Sequence, residues 1–287
     1  PNMRDYYTHI KGNGEDKVTL MVYMVGSDLE SDGGAASEDI AEMTAANADN
    51  INITLQTGGA AEWENASISD GKTERHIIKN GELQNVANLG ETQMTSPNTL
   101  TDFIKWSAAN YPADRYELVL WNHGGGTALG FGYDEMYPDD MLSLSQIGNA
   151  LSDSGIKFDI VGFDACLMGT IETAYMLEPY ADYLVASEEY EPGTGWYYSE
   201  WLKNLSDNTS MPTVEIGKKI VGDYINGPDS SFFDSNTLSI VDLREIPYTY
   251  SKLCETMQQE EGVLDSRYSV ISQARYNAKS FGDGGYE

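Results

Sequence analysis

Two short stretches of the chain end in side chains capable of covalent chemistry. In FDIVGFDACLMGTIE, residues 158–172, an apolar run from Phe158 to Phe163 stops at Asp164-Ala165-Cys166. In LVLWNHGGG, residues 118–126, another apolar run stops at His123-Gly124. A cysteine thiolate is a strong nucleophile, but a free thiol is mostly protonated at neutral pH. A helix N-terminus and a neighbouring histidine lower its pKa. The pattern after Cys166 reads as a helix reaching about Glu178, so the thiol is expected where that helix begins. His123 would accept or share the thiol proton and return it to a leaving amine. The amides of Gly124 and Cys166 would hold the oxyanion of a tetrahedral intermediate, one such donor being worth roughly 3–4 kcal/mol.

The order of these residues narrows the chemistry. The chain has three histidines, His9, His76 and His123, and two cysteines, Cys166 and Cys254. No histidine follows Cys166. An α/β-hydrolase and a papain-like protease both place theirs after the nucleophile, so both are excluded. HGGG imitates a lipase oxyanion motif, but the nucleophile elbow needs glycine where this chain has Asp164 and Met168. His9 and His76 read as surface residues and Cys254 as part of a helix face. Asp164 has two readings, a cap on the following helix or a group of the site.

The elements that must position these residues alternate. Apolar runs at 18–25, 116–121, 158–163, 183–186 and 237–243 read as strands, with a further strand at 51–56. Residues 73–86 read as a hairpin turning at Asn80-Gly81. Helical patterns fill 35–46, 97–110, 143–153, 196–204 and 212–226, and the chain beyond residue 243 reads as helical. Strands alternating with helices imply an α/β fold with a mostly parallel sheet covered on both faces. Ligands bind beyond the carboxyl ends of such strands, which is where His123 and Cys166 stand. The expected organisation is a polar N-terminal segment (1–16), one α/β domain (17–243) and a C-terminal helical part (244–287). SFGDGGYE closes the chain directly after a helical pattern and reads as a truncation.

With 17 basic against 46 acidic residues, the formal net charge is −29. Such a surface repels phosphate backbones, so no nucleic-acid partner is expected. No stretch of about 18 apolar residues predicts a membrane span. Nineteen tyrosines and 28 glycines suit an ordered, exported protein, and no signal segment is visible at Pro1.

The two blocks, with MVYMVGSDLES (21–31) and VASEEYEPGTGWYY (185–198), resemble the clostripain family of cysteine peptidases, which shares a clan with caspases, legumains and gingipains. The resemblance spans residue 17 to about residue 205. It implies a caspase-like three-layer αβα sandwich with a mostly parallel central sheet and a C-terminal helical elaboration. It implies an endopeptidase whose His123–Cys166 dyad works through a thioester acyl-enzyme, in a secreted or cell-surface bacterial protein expected to be monomeric. It also implies cleavage after Arg, with Lys accepted, in protein or peptide substrates. Asp164 matches the pocket acid that pairs with that cation, an interaction suited to a bidentate guanidinium. The loop 187–196 would supply the other wall, through Ser187, Glu188, Thr194 and Trp196. Strict relatives would bring a second acid there, whereas position 194 is Thr, with Glu188 and Glu189 nearby. Many relatives cut themselves at a basic residue between histidine and cysteine, but residues 124–156 contain neither Lys nor Arg. The family also suggests Ca²⁺ as a structural or activating ion, with oxygen ligands available in SDLESDGG and YDEMYPDD, neither at EF-hand spacing. The chemistry itself calls for no cofactor and no metal. Two alternatives stand beside this reading: a related peptidase with non-basic specificity, and a catalytically silent peptide-binding module on the same fold.

Overall fold

The computed structural model of the chain describes residues 7–227, 236–259 and 267–282. Eight strands form one sheet: β1 (Val18–Val25), β2 (Asn52–Gly58), β3 (Thr73–Lys79), β4 (Glu82–Gly90), β5 (Arg115–Trp121), β6 (Phe158–Asp164), β7 (Ala181–Ala186) and β8 (Ser239–Asp242). Their spatial order is β4-β3-β2-β1-β5-β6-β7-β8. The run β2-β1-β5-β6-β7 is parallel, and β3, β4 and β8 are antiparallel additions at the two sides.

The period-2 alternation of strand side chains explains the layers. From β1, Leu20, Val22 and Met24 enter one core, with Ile40 and Met43 of α2 (Ala35–Ala45), Trp201 and Leu205 of α7 (Tyr198–Asp207), and Ile216 and Ile220 of α8 (Thr213–Asn226). Met21, Tyr23 and Val25 enter the other core. There they meet Leu100 and Phe103 of α3 (Pro97–Asn110), Ile147 and Leu151 of α5 (Leu144–Ser154), Leu177 of α6 (Ile171–Leu177) and Ile246 of α9 (Ile246–Gln259). The central strands are buried on both faces, which is why they read as unbroken apolar runs. The expected three-layer αβα sandwich is therefore present. Two short helices, α1 (Ser27–Ser31) and α4 (Gly126–Leu129), and the C-terminal α10 (Tyr268–Asn277) complete it.

Three local expectations change. The helix after Cys166 does not start there: α6 begins at Ile171, with the Thr170 hydroxyl capping the Thr173 amide. Leu167, at φ +63°, breaks the chain direction first. Asp164 accordingly caps no helix. His76 is fully buried on β3, between β2 and β4, with Nε2 3.0 Å from Thr57 Oγ1. Burial pushes its imidazole down to about 4, so it is neutral at physiological pH. The polar N-terminal segment, from Tyr7 onward, is tied to the body. Tyr7 stacks on Tyr183, and the Thr8 amide donates to Asp182 at 2.7 Å. The expectations for residues 1–6, 260–266 and 283–287 lie outside the described residues.

Below the site, an ion pair locks β5 to β6. Arg115 Nε donates to Asp159 Oδ2 at 2.6 Å, and both side chains are fully buried. The other guanidinium nitrogens donate to the carbonyls of Thr209 and Met211 and to Thr213 Oγ1, tying in the α7–α8 connection. Arg115 is thus satisfied by the fold and is no part of a ligand site.

Candidate active site

Four neighbouring parallel strands, β1, β5, β6 and β7, deliver loops to one cleft. Strand β5 ends at Trp121, and His123 follows two residues later. The intervening Asn122 is buried and fastens the strand ends together. Its amide nitrogen donates to Val25 O and Ser27 Oγ, and its Oδ1 accepts from the Tyr133 amide. Strand β6 ends at Asp164, and Cys166 stands in the turn just beyond it. His123 and Cys166 line one cleft of about 240 Å³, together with Asp164, Leu29, Tyr190 and Glu191.

Gly124 lies against the backbone of Cys166. A Cβ built at Gly124 would sit 2.0 Å from the Cys166 carbonyl oxygen, so only glycine permits this approach. Among the described residues neither the Gly124 amide nor that of Cys166 donates to a backbone carbonyl. Gly124 and the nucleophile candidate are thus main-chain neighbours in space. The expected result of Gly124→Ala follows. Overpacking should cost about 1–3 kcal/mol of stability. Displacing an oxyanion donor should lower kcat by roughly 10²–10³-fold. Thermal melting and steady-state kinetics on one preparation check both; an alanine variant with wild-type kcat would remove Gly124 from the site.

His123 has a partner absent from the sequence reading. Its Nε2 lies 2.8 Å from Asp28 Oδ1, on α1, just past the end of β1. Burial works against ionisation of Asp28, but the His123 imidazole and the Ser27 hydroxyl outweigh it and hold the carboxyl below its usual range. With Nε2 engaged, Nδ1 is the nitrogen left for proton exchange. The pair is roughly two-fifths exposed on both sides, so its worth is limited to about 1 kcal/mol. Asp28→Asn should therefore lower kcat by no more than about tenfold, with KM and melting temperature nearly unchanged. A large fall in melting temperature would make Asp28 a structural residue instead.

The thiol is not activated by a helix in this state. Burial pushes Cys166 up from its ordinary value, and the charges of Asp164 and Glu189 add to this. The Glu191 amide, which donates to Sγ at 3.2 Å, works the other way. Both cysteines are free.

Asp164 forms the cleft floor. Its carboxylate accepts from the Trp196 amide at 3.2 Å and from Tyr198 Oη at 2.7 Å. Gly195, at φ +58°, lets the loop close over it; a Cβ there would lie 2.7 Å from Asp164 Oδ1. Of the four loop residues expected on the opposite wall, none lines this cleft. Ser187 is buried and bonds to Glu189 O and Thr237 Oγ1. Glu188 accepts from Ser239 Oγ at 2.5 Å. Thr194 lines an adjoining cleft beside α1 and α2. Trp196 is core: a Cβ at Gly162 would meet its ring at 2.5 Å. Glu191, from the same loop, does line the cleft, although neither its type nor its spacing singles it out in the sequence. Among the described residues no cluster of three or more His, Cys, Asp or Glu is arranged to hold a metal ion. Within SDLESDGG, Asp28 pairs with His123 and Glu30 accepts from the Ser37 and Glu64 amides.

The clostripain family's sequence model, Peptidase_C11, matches residues 22–279, nearly the whole chain. The chain belongs to the clostripain family. It is 31% identical over 225 residues to Clostripain of Hathewaya histolytica, covering 66% of this chain and 42% of that protein. The chain thus spans less than half the length of this curated relative. Two solved structures share the fold of this clostripain-family chain. One is a secreted C11 cysteine protease from Bacteroides thetaiotaomicron in complex with an irreversible peptide inhibitor. It has a TM-score of 0.65 at 22% identity, over 80% of this chain and 67% of that one. The other is an inactive zymogen C11 protease from Parabacteroides distasonis. It has a TM-score of 0.61 at 23% identity, over 80% and 63%. The sandwich is therefore the caspase-like fold of the C11 proteases.

Proposed function

We propose that this chain is a cysteine endopeptidase that cleaves after a basic residue, Arg in preference to Lys. The observation that carries the reading is the meeting of His123, Cys166 and the Asp164 carboxylate in one cleft, with the Gly124 backbone packed against that of Cys166. In the reaction, the Cys166 thiolate attacks the scissile carbonyl carbon and forms a C–S bond. The Gly124 and Cys166 amides take the resulting oxyanion. His123 carries the thiol proton to the leaving amine as the C–N bond breaks, and Asp28 holds its ring. Water then hydrolyses the thioester, with His123 as base. Asp164 attracts the cationic side chain to the floor of the cleft.

Membership of the clostripain family and the sequence identity to Clostripain support the peptidase assignment. The acidic surface favours basic substrates over nucleic acids. No helix among the described residues is long and apolar enough to cross a membrane. We place the protein outside the cell as a monomer, in line with the word "secreted" in the description of its Bacteroides relative. Calcium enters as a structural or activating ion only, and rates in calcium and in EGTA measure its contribution.

The test is a panel of matched fluorogenic peptides with Arg, Lys, Asn or Asp before the cut bond, run on wild type and Asp164→Asn. Arg turnover should exceed the others, and Asp164→Asn should reduce it by roughly 10–100-fold, the worth of one charge-assisted hydrogen bond. Equal or better turnover of the Asn peptide would keep the dyad and discard the basic pocket.

A further inference from the structure

Two carboxyls face each other at the bottom of the cleft. Asp164 is held by Trp196 and Tyr198, as described. Glu191 comes from the loop after β7, and its own amide touches the Cys166 sulfur. Glu191 as a residue is only half-buried, yet neither of its carboxyl oxygens meets solvent or has a well-formed hydrogen-bond donor. The Trp196 indole N–H, itself without a well-formed partner, eases its ionisation.

The other acids of this loop are engaged elsewhere. Glu188 accepts from Ser239, and Glu189 Oε1 accepts from the Tyr190 and Gly282 amides, both at 2.9 Å. A third buried carboxyl, Asp39 of α2, accepts from the Trp121 indole at 2.6 Å. Among the described residues, no lysine or arginine forms an ion pair with Asp39, Asp164 or Glu191. Burying unpaired anions is costly, and such groups keep a proton until a cation arrives.

We infer that Glu191 is the second acid of the substrate pocket, which with Asp164 clamps the cation of the residue before the cut bond in exchange for a proton. The inference rests on the basic specificity proposed above and adds the residue and the proton to it. The exchange balances simply: the substrate cation enters, the shared proton leaves to solvent, and the net charge of the carboxyl pair with its occupant stays at −1 in both states. Two carboxylates converging on one point suit the planar fork of a guanidinium better than the point charge of an ammonium.

The surroundings agree with a stored proton. Burial, then the Asp164 charge, pushes the Glu191 carboxyl well above its ordinary value, and burial pushes Asp164 up to about 6 against the pull of its hydrogen bonds. The other titratable groups facing the pair are Cys166 beyond β6, Asp39 from α2, Tyr198 from α7 and Tyr224 from α8. His123 completes the cleft from beyond β5. Both tyrosines are held protonated, by burial first and by the carboxyl charges second. Raised carboxyl values mean that the clamp is closed by a proton at low pH and opens to a cation as pH rises.

The experiment compares kcat/KM for two matched peptides, one with Arg and one with its neutral isostere citrulline before the cut bond, from about pH 5.5 to 8. Both peptides need the same dyad, so the Arg:citrulline ratio cancels its titration. In wild type the ratio should favour Arg and climb with pH. In Glu191→Gln it should fall roughly 10–100-fold and lose its slope above about pH 7, where Asp164 is already ionised, with Glu191→Asp in between. A Glu191→Gln enzyme that keeps the wild-type ratio and slope overturns the inference and leaves basic specificity standing. A wild type that prefers Arg by a ratio constant with pH also overturns it, and this arm decides even where the variants do not fold. A wild type indifferent between Arg and citrulline sinks basic specificity itself, and the clamp with it.

Discussion

Cys166→Ala should remove peptide hydrolysis almost entirely, with a fall in kcat of roughly 10⁴-fold or more. Loss of a nucleophile costs this much because the remaining machinery, oxyanion donors and binding, supplies only a residual acceleration over water. The fold should survive: Cys166 stands in a turn beyond β6, and the contacts its sulfur makes are a 3.2 Å hydrogen bond from the Glu191 amide and a weak 3.8 Å one to the Glu191 carbonyl. Kinetics and melting measured together give the answer. A Cys166→Ala protein that still cuts at the wild-type rate would move the chemistry elsewhere. A wild type that cuts nothing, and whose Cys166 resists alkylation, would favour the silent peptide-binding module. Because burial holds the thiol above its ordinary value, alkylation of the free protein should quicken steadily as pH rises into the alkaline range.

The largest expected loss of stability lies at the opposite end of the sheet. Arg115→Met should destabilise the fold by about 3–5 kcal/mol, because it strands the buried Asp159 carboxylate without its partner. In a chain of this size that lowers the melting temperature by roughly 10 °C. Burial already pushes Asp159 above its ordinary value, with the guanidinium charge pulling only partly against it. The double variant Arg115→Met/Asp159→Leu should recover much of the loss, since an apolar pair of similar volume carries no desolvation penalty. Chemical denaturation of the two single variants and the double variant forms the cycle that measures this. A cost below about 1 kcal/mol for Arg115→Met would mean that water reaches the pair.

The sheet was legible because its central strands are buried on both faces and therefore appear as unbroken apolar runs, as in Val18–Val25 and Phe158–Phe163. The positions of His123 and Cys166 at adjacent strand ends followed from that alternation. Other features depended on tertiary geometry. The helix after Cys166 seemed continuous because Met168, Ile171 and Ala174 keep its period. The Gly169-Thr170 pair, a flexible residue followed by a capping one, was the available signal for its later start. His76 looked exposed because a hairpin on an edge is half-solvated, whereas β3 is an inner strand. Asp28 was invisible because its meeting with His123 needs β1 and β5 side by side, and neither spacing nor residue type announces that. Glu191 was passed over for Glu188, Glu189 and Thr194, although Pro192 and Gly195 beside it mark the bend, closed by the Gly195 amide on Pro192 O, that turns this acid inward.

The parallel order β1-β5-β6-β7 has an engineering consequence. In the proposed reaction, ring orientation would come from the loop after β1, proton traffic from the loop after β5 and bond-making from the turn after β6. The proposed choice of side chain would be shared between Asp164 at the end of β6 and the loop after β7, which Thr237 and Gly282 fasten from outside the sheet. Labour is therefore divided by loop. A graft confined to residues 188–195 can exchange the appetite of the site while the reacting atoms stay on scaffold that was never cut. Lineages built on this sheet can diversify diet through one loop, without rediscovering the reaction each time.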